Sequence, residues 1–204
     1  MLTAREIAKR AAKASCMRAS DDKVIRAFNL QKEEELCAVI AYLQQLDPLT
    51  KMLEIGSAAG GTFLAWCAVA AKDALVVSVD LHSFDEDREL MQGYALPGQS
   101  IHFIRGDSRS TQTKAQVVEI ATDFDFLFID GDHSEEFVRA DWANYSPLVR
   151  DGGLIAFHDI SDGGPIGTLW NELSHQFWNI KFVEFNGNDG WGGIGILRVH
   201  HERA

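Results

Sequence analysis

Long apolar runs, paired cysteines and an excess of basic residues are all missing from this sequence of 204 residues. No apolar run approaches the roughly 20 residues needed to cross a bilayer, and the first ten residues mix charges into an amphipathic pattern unlike a signal peptide. The three cysteines, Cys16, Cys37 and Cys67, lack the spacing of a zinc site or a disulfide framework, which predicts free thiols in the core. We therefore expect a cytoplasmic protein with no membrane contact.

The charge balance also restricts the partners. Lysine and arginine number 19 against 30 aspartates and glutamates, so the formal net charge is −11. Nucleic-acid backbones are bound by clustered cations that displace counterions, and this composition opposes such binding. Small molecules or proteins are the expected partners.

Short apolar runs alternate with amphipathic segments, which predicts an α/β fold with a mostly parallel sheet. The predicted strands are Lys51–Ile55, Ala74–Asp80, Ile101–Arg105, Phe124–Ile129 and Leu154–His158, followed by a closing antiparallel hairpin of Lys181–Phe185 and Gly193–Val199. The predicted helices are Lys32–Leu46, Thr62–Ala71, Lys114–Ala121, Glu135–Leu148 and one that opens near Pro165. We interpret this as a single domain with a Rossmann-like, doubly wound, seven-stranded sheet: residues 50–204 form the domain and residues 1–49 a helical N-terminal extension.

A turn of small residues follows the first strand and leads directly into a helix. It reads Glu54-Ile-Gly56-Ser-Ala58-Ala-Gly60-Gly61, so the backbone there can closely approach a ligand. A dinucleotide fingerprint would require glycine at position 58, where this chain has alanine. A turn that merely allows close packing of strand and helix remains an alternative.

The pattern Glu-x-Gly-x-x-x-Gly resembles motif I of class I methyltransferases, which bind S-adenosylmethionine. The resemblance implies that Asp80, which ends the second strand, accepts hydrogen bonds from the ribose hydroxyls, and that Asp107 or Ser108, after the third strand, recognises the adenine. The cofactor residues it implies are Glu54, Gly56, Ser57, Ala58, Gly60, Gly61, Asp80, Leu81, Gly106, Asp107, Ser108 and Asp130. Because ligands of open α/β sheets collect at the carboxyl ends of the strands, these turns should face one crevice.

Acidic and imidazole side chains follow strands four and five. Asp130, Asp132 and His133 come after the fourth strand, and His158 and Asp159 after the fifth. Carboxylates and imidazoles gathered at neighbouring strand ends can hold a divalent cation. Simpler roles remain open: Asp130 and Asp132 as caps of the following turn and helix, and His158 as a neutral, hydrogen-bonded histidine.

Residues 126–160 resemble the methyltransferase subfamily that includes sugar and macrolide O-methyltransferases and proteins labelled cephalosporin hydroxylases. The resemblance implies Asp130, His158 and Asp159 as metal ligands, and Asp130 and His133 as catalytic residues with His133 as the general base. The chain departs from the pattern at His158, where a carboxylate or amide is usual, and imidazole suits magnesium poorly. In related enzymes an N-terminal extension caps the active site or forms a dimer contact, so a homodimer is one expectation.

The function predicted from these residues is methyl transfer from S-adenosylmethionine to a hydroxyl of a small acceptor, with or without a divalent cation. The alternatives are a non-catalytic S-adenosylmethionine-binding partner or sensor and, disfavoured by Ala58, a nucleotide-dependent oxidoreductase.

Overall fold

The structure is a computed structural model and describes residues 2–15, 31–58, 60–81, 91–183 and 191–200. Its strands are β1 Lys51–Ile55, β2 Leu75–Asp80, β3 Ser100–Arg105, β4 Phe124–Ile129, β5 Val149–Phe157, β6 Trp178–Phe182 and β7 Ile194–Arg198. Its helices are α1 Ala4–Ser15, α2 Glu33–Leu43, α3 Gly61–Val69, α4 Thr111–Ile120, α5 Glu135–Tyr145 and α6 Pro165–Ser174, with a 3₁₀ turn at Ser146–Leu148.

The strands form one seven-stranded sheet in the order β3-β2-β1-β4-β5-β7-β6. Strands β1 to β5 pair in parallel with one another, and β7 pairs antiparallel with both β5 and β6. The strand order reverses between β1 and β4, so the turns after these strands diverge and leave a crevice at their carboxyl ends. This is the predicted doubly wound fold with its C-terminal hairpin.

Each face of the sheet carries its own apolar core. On one face α1, α2 and α3 pack over Met52, Phe126, Phe128 and Ile196. On the other, α4, α5 and α6 cover alternate residues of the same strands, such as Leu53, Leu127 and Ile155. Every residue of β4 is buried, as expected for a central parallel strand covered on both faces. The helices of the N-terminal extension therefore share a core with the sheet.

Several predicted boundaries shift. Strand β5 begins at Val149, five residues before the predicted start, and α4 begins at Thr111 because the Ser110 side chain accepts the Thr113 N–H as a helix cap. The hairpin strand predicted at Lys181–Phe185 is instead Trp178–Phe182, a partly exposed edge strand whose burial does not alternate cleanly, and residues 184 and 185 of the prediction lie outside the described residues. Cys67 is buried and Cys37 half-buried as free thiols, whereas Cys16 lies outside the described residues.

No helix within the described ranges is long and apolar enough to span a bilayer.

Candidate active site

The turn after β1 is built by close backbone contacts. Gly56 has a φ of +88°, and a Cβ atom at this position would collide with the carbonyl group of Asp130. Ala58 is also left-handed, with a φ of +43°, and its N–H donates to Asp80 Oδ2 at 2.8 Å. The glycine at position 56 thus lets the chain after β1 lie against the chain after β4, and Asp80 fixes the turn from the end of β2.

A cavity of about 390 Å³ opens at the carboxyl ends of β1, β2, β3 and β4. Eight residues predicted from the sequence to bind the cofactor line it: Gly56, Ala58, Asp80, Leu81, Gly106, Asp107, Ser108 and Asp130. Its size lies in the ordinary range for a small-molecule site. We call this the first cavity.

Glu54 and Gly60 do not line this cavity. Glu54 is fully buried behind the turn and accepts a hydrogen bond of 2.9 Å from Trp66 Nε1. Burial raises the pKa of Glu54 to about 8, more than the hydrogen bonds from Thr62 and Trp66 lower it. The acidic residue of the motif therefore supports the turn from inside the core.

Replacing Glu54 by glutamine is expected to stabilise the fold by a few kcal/mol near pH 8. The raised native pKa means that wild-type stability is highest below the unfolded pKa near 4.5 and is lost as pH rises toward 8. Urea unfolding at pH 5 and pH 8 checks this: the advantage of Glu54→Gln should shrink at the lower pH. An advantage independent of pH would show that Glu54 keeps an ordinary pKa.

The loop after β3 is held by charged and backbone contacts. Arg109 forms an ion pair of 2.7 Å with Asp107, which lowers the pKa of that carboxyl, and its guanidinium lies 3.7 Å from the centre of the Phe137 ring. The carbonyl of Ser108 accepts a 2.9 Å hydrogen bond from the Tyr145 hydroxyl. Helix α5 thus fixes the loop that forms one wall of the first cavity.

An acidic and imidazole cluster, which consists of Asp130, His133, His158 and Asp159, lies at the ends of β4 and β5. Nδ1 of His158 is 3.3 Å from Asp130 Oδ1 and 3.2 Å from Asp159 Oδ2. Nε2 of His133 is 3.5 Å from the same Asp159 oxygen and 4.0 Å from Asp130 Oδ1. The sequence prediction that these residues meet is confirmed, and Asp132 instead accepts the Ser134 N–H at 2.8 Å.

The two imidazoles differ in exposure and in their surroundings. The side chain of His158 is 2% exposed; burial lowers its pKa, but Asp130 and Asp159 outweigh this effect and raise the pKa to about 10. For Asp159, burial acts to raise the pKa, but hydrogen bonds and charges, chiefly from His158, hold it below the usual value. The side chain of His133 is half exposed. His158 is therefore buried against the two carboxylates, and His133 faces solvent.

A second cavity of about 220 Å³ adjoins the first. The two cavities share Gly56, Ala58, Asp130 and Gly131. The second also reaches Ser57 and Gly61 of the turn and three members of the cluster, His133, His158 and Asp159. A ligand in the first cavity would therefore end beside the acidic and imidazole cluster.

Comparison with family models identifies residues 53–160 as a methyltransferase domain. The chain belongs to this methyltransferase family. The matched residues run from β1 to the turn after β5 and include every strand whose end lines the two cavities.

Solved structures share the fold of this chain. The MycE methyltransferase of the mycinamycin biosynthetic pathway, in complex with Mg, SAH and mycinamycin VI, is 16% identical with a TM-score of 0.64, over 98% of this chain and 55% of that one. The O-methyltransferase TomG from Streptomyces achromogenes, in complex with SAM, is 18% identical with a TM-score of 0.60, over 96% of this chain and 90% of that one. A putative O-methyltransferase from Klebsiella pneumoniae is 15% identical with a TM-score of 0.59, over 98% and 91% of the two chains.

The chain thus spans about half the length of MycE. No curated protein sequence matches it significantly.

The cluster has the chemistry of a cation site. Asp130, His133 and Asp159 can each offer one ligand atom, and these atoms lie within 4.8 Å of one another. Nδ1 of His158, the ligand expected from the sequence, instead faces both carboxylates as a hydrogen-bond partner. Two carboxylates and an imidazole fit a divalent cation such as Mn²⁺ or Zn²⁺ more closely than Mg²⁺, which prefers oxygen ligands.

Sequence reasoning missed several lining residues, of which Gln31 and Phe137 bring side chains from outside the strand ends and the turn after β1. Gln31 lines the second cavity and donates to Asp130 Oδ2 at 2.6 Å, although it comes from the N-terminal extension. Phe137 lines the first cavity from helix α5. Neither residue belongs to a motif after a strand. One sequence signal could have found Phe137: it lies three residues after Ser134, in the first turn of a helix that starts at the crevice.

Proposed function

We propose that this methyltransferase transfers a methyl group from S-adenosylmethionine to a hydroxyl oxygen of a small acceptor. The observation that carries the proposal is the adjacency of the two cavities: one is bordered by Asp80 and the loop after β3, the other by the acidic and imidazole cluster, and both contact the Gly56–Ala58 turn. The complexes of MycE with SAH and of TomG with SAM support this choice of cofactor.

The first cavity would hold the nucleoside of the cofactor. Asp80 is the acceptor for the ribose hydroxyls, and the loop of Gly106, Asp107 and Ser108 borders the adenine. The Gly56–Ala58 turn would border the methionine part, next to the second cavity. Bound there, S-adenosylmethionine supplies a methyl group activated by the sulfonium charge.

His133 is the general base of this proposal. Its half-exposed imidazole lies at the second cavity, where its Nε2 can take the proton of an acceptor hydroxyl. The resulting oxygen would attack the methyl carbon as the carbon–sulfur bond breaks, and S-adenosylhomocysteine would leave as the thioether. The residues that line the two cavities position the reactants for this displacement. A divalent cation held by Asp130 and Asp159 would lower the pKa of the acceptor hydroxyl.

The cofactor assignment predicts that Asp80→Ala weakens SAH binding about 10- to 100-fold, the loss expected when hydrogen bonds to a charged acceptor are removed. Calorimetric titration with SAH measures this. Because Asp80 also accepts the Ala58 N–H, Asp80→Asn is the matched variant: it keeps one acceptor for the turn and should bind with intermediate affinity. Asp73→Ala, at an exposed position before β2, should bind as the wild type does.

The proposal as a whole is tested by SAH calorimetry on the wild type and by SAH release from S-adenosylmethionine with a panel of hydroxylated small molecules. No heat with SAH at high concentration would overturn the cofactor. SAH binding without transfer to any acceptor would favour a non-catalytic binding protein.

A further inference from the structure

Gln31 connects the N-terminal extension to the cluster. It lies two residues before α2, is 6% exposed, and donates through Nε2 to Asp130 Oδ2. The other oxygen of this carboxylate, Oδ1, faces His158 and His133. One Asp130 oxygen is therefore bound by the extension, and the other is turned toward the cluster.

Asp159 is held in the same way by a short segment before β7. The N–H of Gly192 donates to Asp159 Oδ1 at 2.8 Å, and the N–H of Gly193 donates to Glu35 Oε2 at 2.8 Å. Glu35 belongs to α2 and is 2% exposed. The Gly192–Gly193 segment thus lies between the beginning of α2 and the second carboxylate of the cluster.

This segment fits tightly. Gly192 has a φ of +86°, and a Cβ there would come within 3.2 Å of both Glu35 Oε2 and Lys32 Cε. Nζ of Lys32 lies 4.9 Å from the centre of the neighbouring Trp191 ring. The carbonyls of Gly192 and Gly193 accept hydrogen bonds from Ser161 and Ile160. The contacts on both sides leave the two N–H groups little freedom of direction.

We propose that the Gln31–Glu35 segment orients both carboxylates of the cluster: Gln31 holds Asp130 directly, and Glu35 holds Asp159 through the N–H groups of Gly193 and Gly192. The proposal rests on the proposed function, in which Asp130 Oδ1 and Asp159 Oδ2 face the acceptor site. Gln31 and Glu35 are positioning residues, because they act through the carboxylates. The N-terminal extension thereby becomes part of the active site.

The first test replaces Gln31 by methionine, which has a similar length and no N–H donor. We expect kcat to fall about 10- to 100-fold, as is usual when a partner that orients a ligand carboxylate is lost, while SAH affinity changes by less than about threefold. Gln45→Met is the matched control, since Gln45 is exposed just after the end of α2 and its side chain donates to the Ala41 carbonyl. Its kcat and SAH affinity should equal those of the wild type.

The second test uses pH and does not depend on activity. Gln31→Glu places a carboxyl against Asp130. Below about pH 6 this carboxyl can take up a proton and donate as glutamine does, whereas at pH 8.5 two ionised carboxylates repel. We expect the melting temperature to fall further below that of the wild type as pH rises from 5.5 to 8.5. For Gln45→Glu the difference should not vary over this range.

A Gln31→Glu melting difference that does not change with pH would overturn the contact with Asp130. In an active enzyme, wild-type kcat in Gln31→Met would overturn the positioning role while the proposed function stands. If the wild type itself neither binds SAH nor transfers a methyl group, the proposed function fails, and the pH series still decides whether Gln31 holds Asp130.

Discussion

Replacing His133 by alanine is expected to lower turnover by roughly a hundredfold or more, the contribution of a well-placed general base. Affinity for SAH should remain within about threefold, because His133 lines the second cavity and not the first. The His133 side chain is half exposed and lies in the loop just before helix α5, so the substitution should cost little stability. Single-turnover kinetics and SAH calorimetry on the same preparation separate the two effects.

The same variant distinguishes two roles for His133. Its Nε2 lies close enough to Asp130 and Asp159 to be a cation ligand as well as a base. A base alone predicts unchanged Mn²⁺ affinity in His133→Ala, with the loss confined to turnover. A ligand predicts a parallel fall in Mn²⁺ affinity. His175→Ala, at the exposed end of α6, is the control; wild-type turnover in His133→Ala would remove this residue from the mechanism.

The sequence was sufficient to predict the parts of the site that follow strands. β1 and β4 begin and end where their apolar runs do, and the small residues after β1 indicated the close approach that the structure shows at Gly56. Asp80, Asp130 and Asp159 line two adjoining cavities because parallel strands bring their carboxyl ends to one edge of the sheet. The local sequence pattern and the strand topology were enough to predict the positions of these residues.

Other parts depend on contacts that no local pattern encodes. Glu54 belongs to the motif, yet its side chain turns into the core toward Trp66, a direction set by packing in the finished fold. Gln31 reaches Asp130 across 99 positions of sequence, and the Gly193 N–H reaches Glu35 across 158. The edge strand β6 packs only half-buried residues, Ile180 and Phe182, against the core, so its burial pattern gives no clear alternation from which to predict its boundaries.

Removal of the charge of Asp159 should have an effect as large as the loss of His133. Asp159→Asn is expected to weaken Mn²⁺ binding at least 10-fold and to lower turnover about a hundredfold, because a carboxylate oxygen is lost where it faces His158 and His133. Titration calorimetry with Mn²⁺ and turnover with and without a chelator measure the two losses. Two results together would contradict any role for a cation held here: wild-type turnover that does not change with chelator, and wild-type activity in Asp159→Asn.

The choice of asparagine follows from the backbone. Asp159 has a φ of +57°, a left-handed conformation that asparagine and aspartate adopt more readily than alanine, so Asp159→Ala would add backbone strain to the loss of charge. Asparagine also keeps an acceptor for the Gly192 N–H. Asp123→Asn is the matched control, because Asp123 has a φ of +59° in an exposed turn before β4. If both variants lose activity equally, the loss comes from the backbone at these left-handed positions. If only Asp159→Asn loses activity, the charge of Asp159 acts in the site.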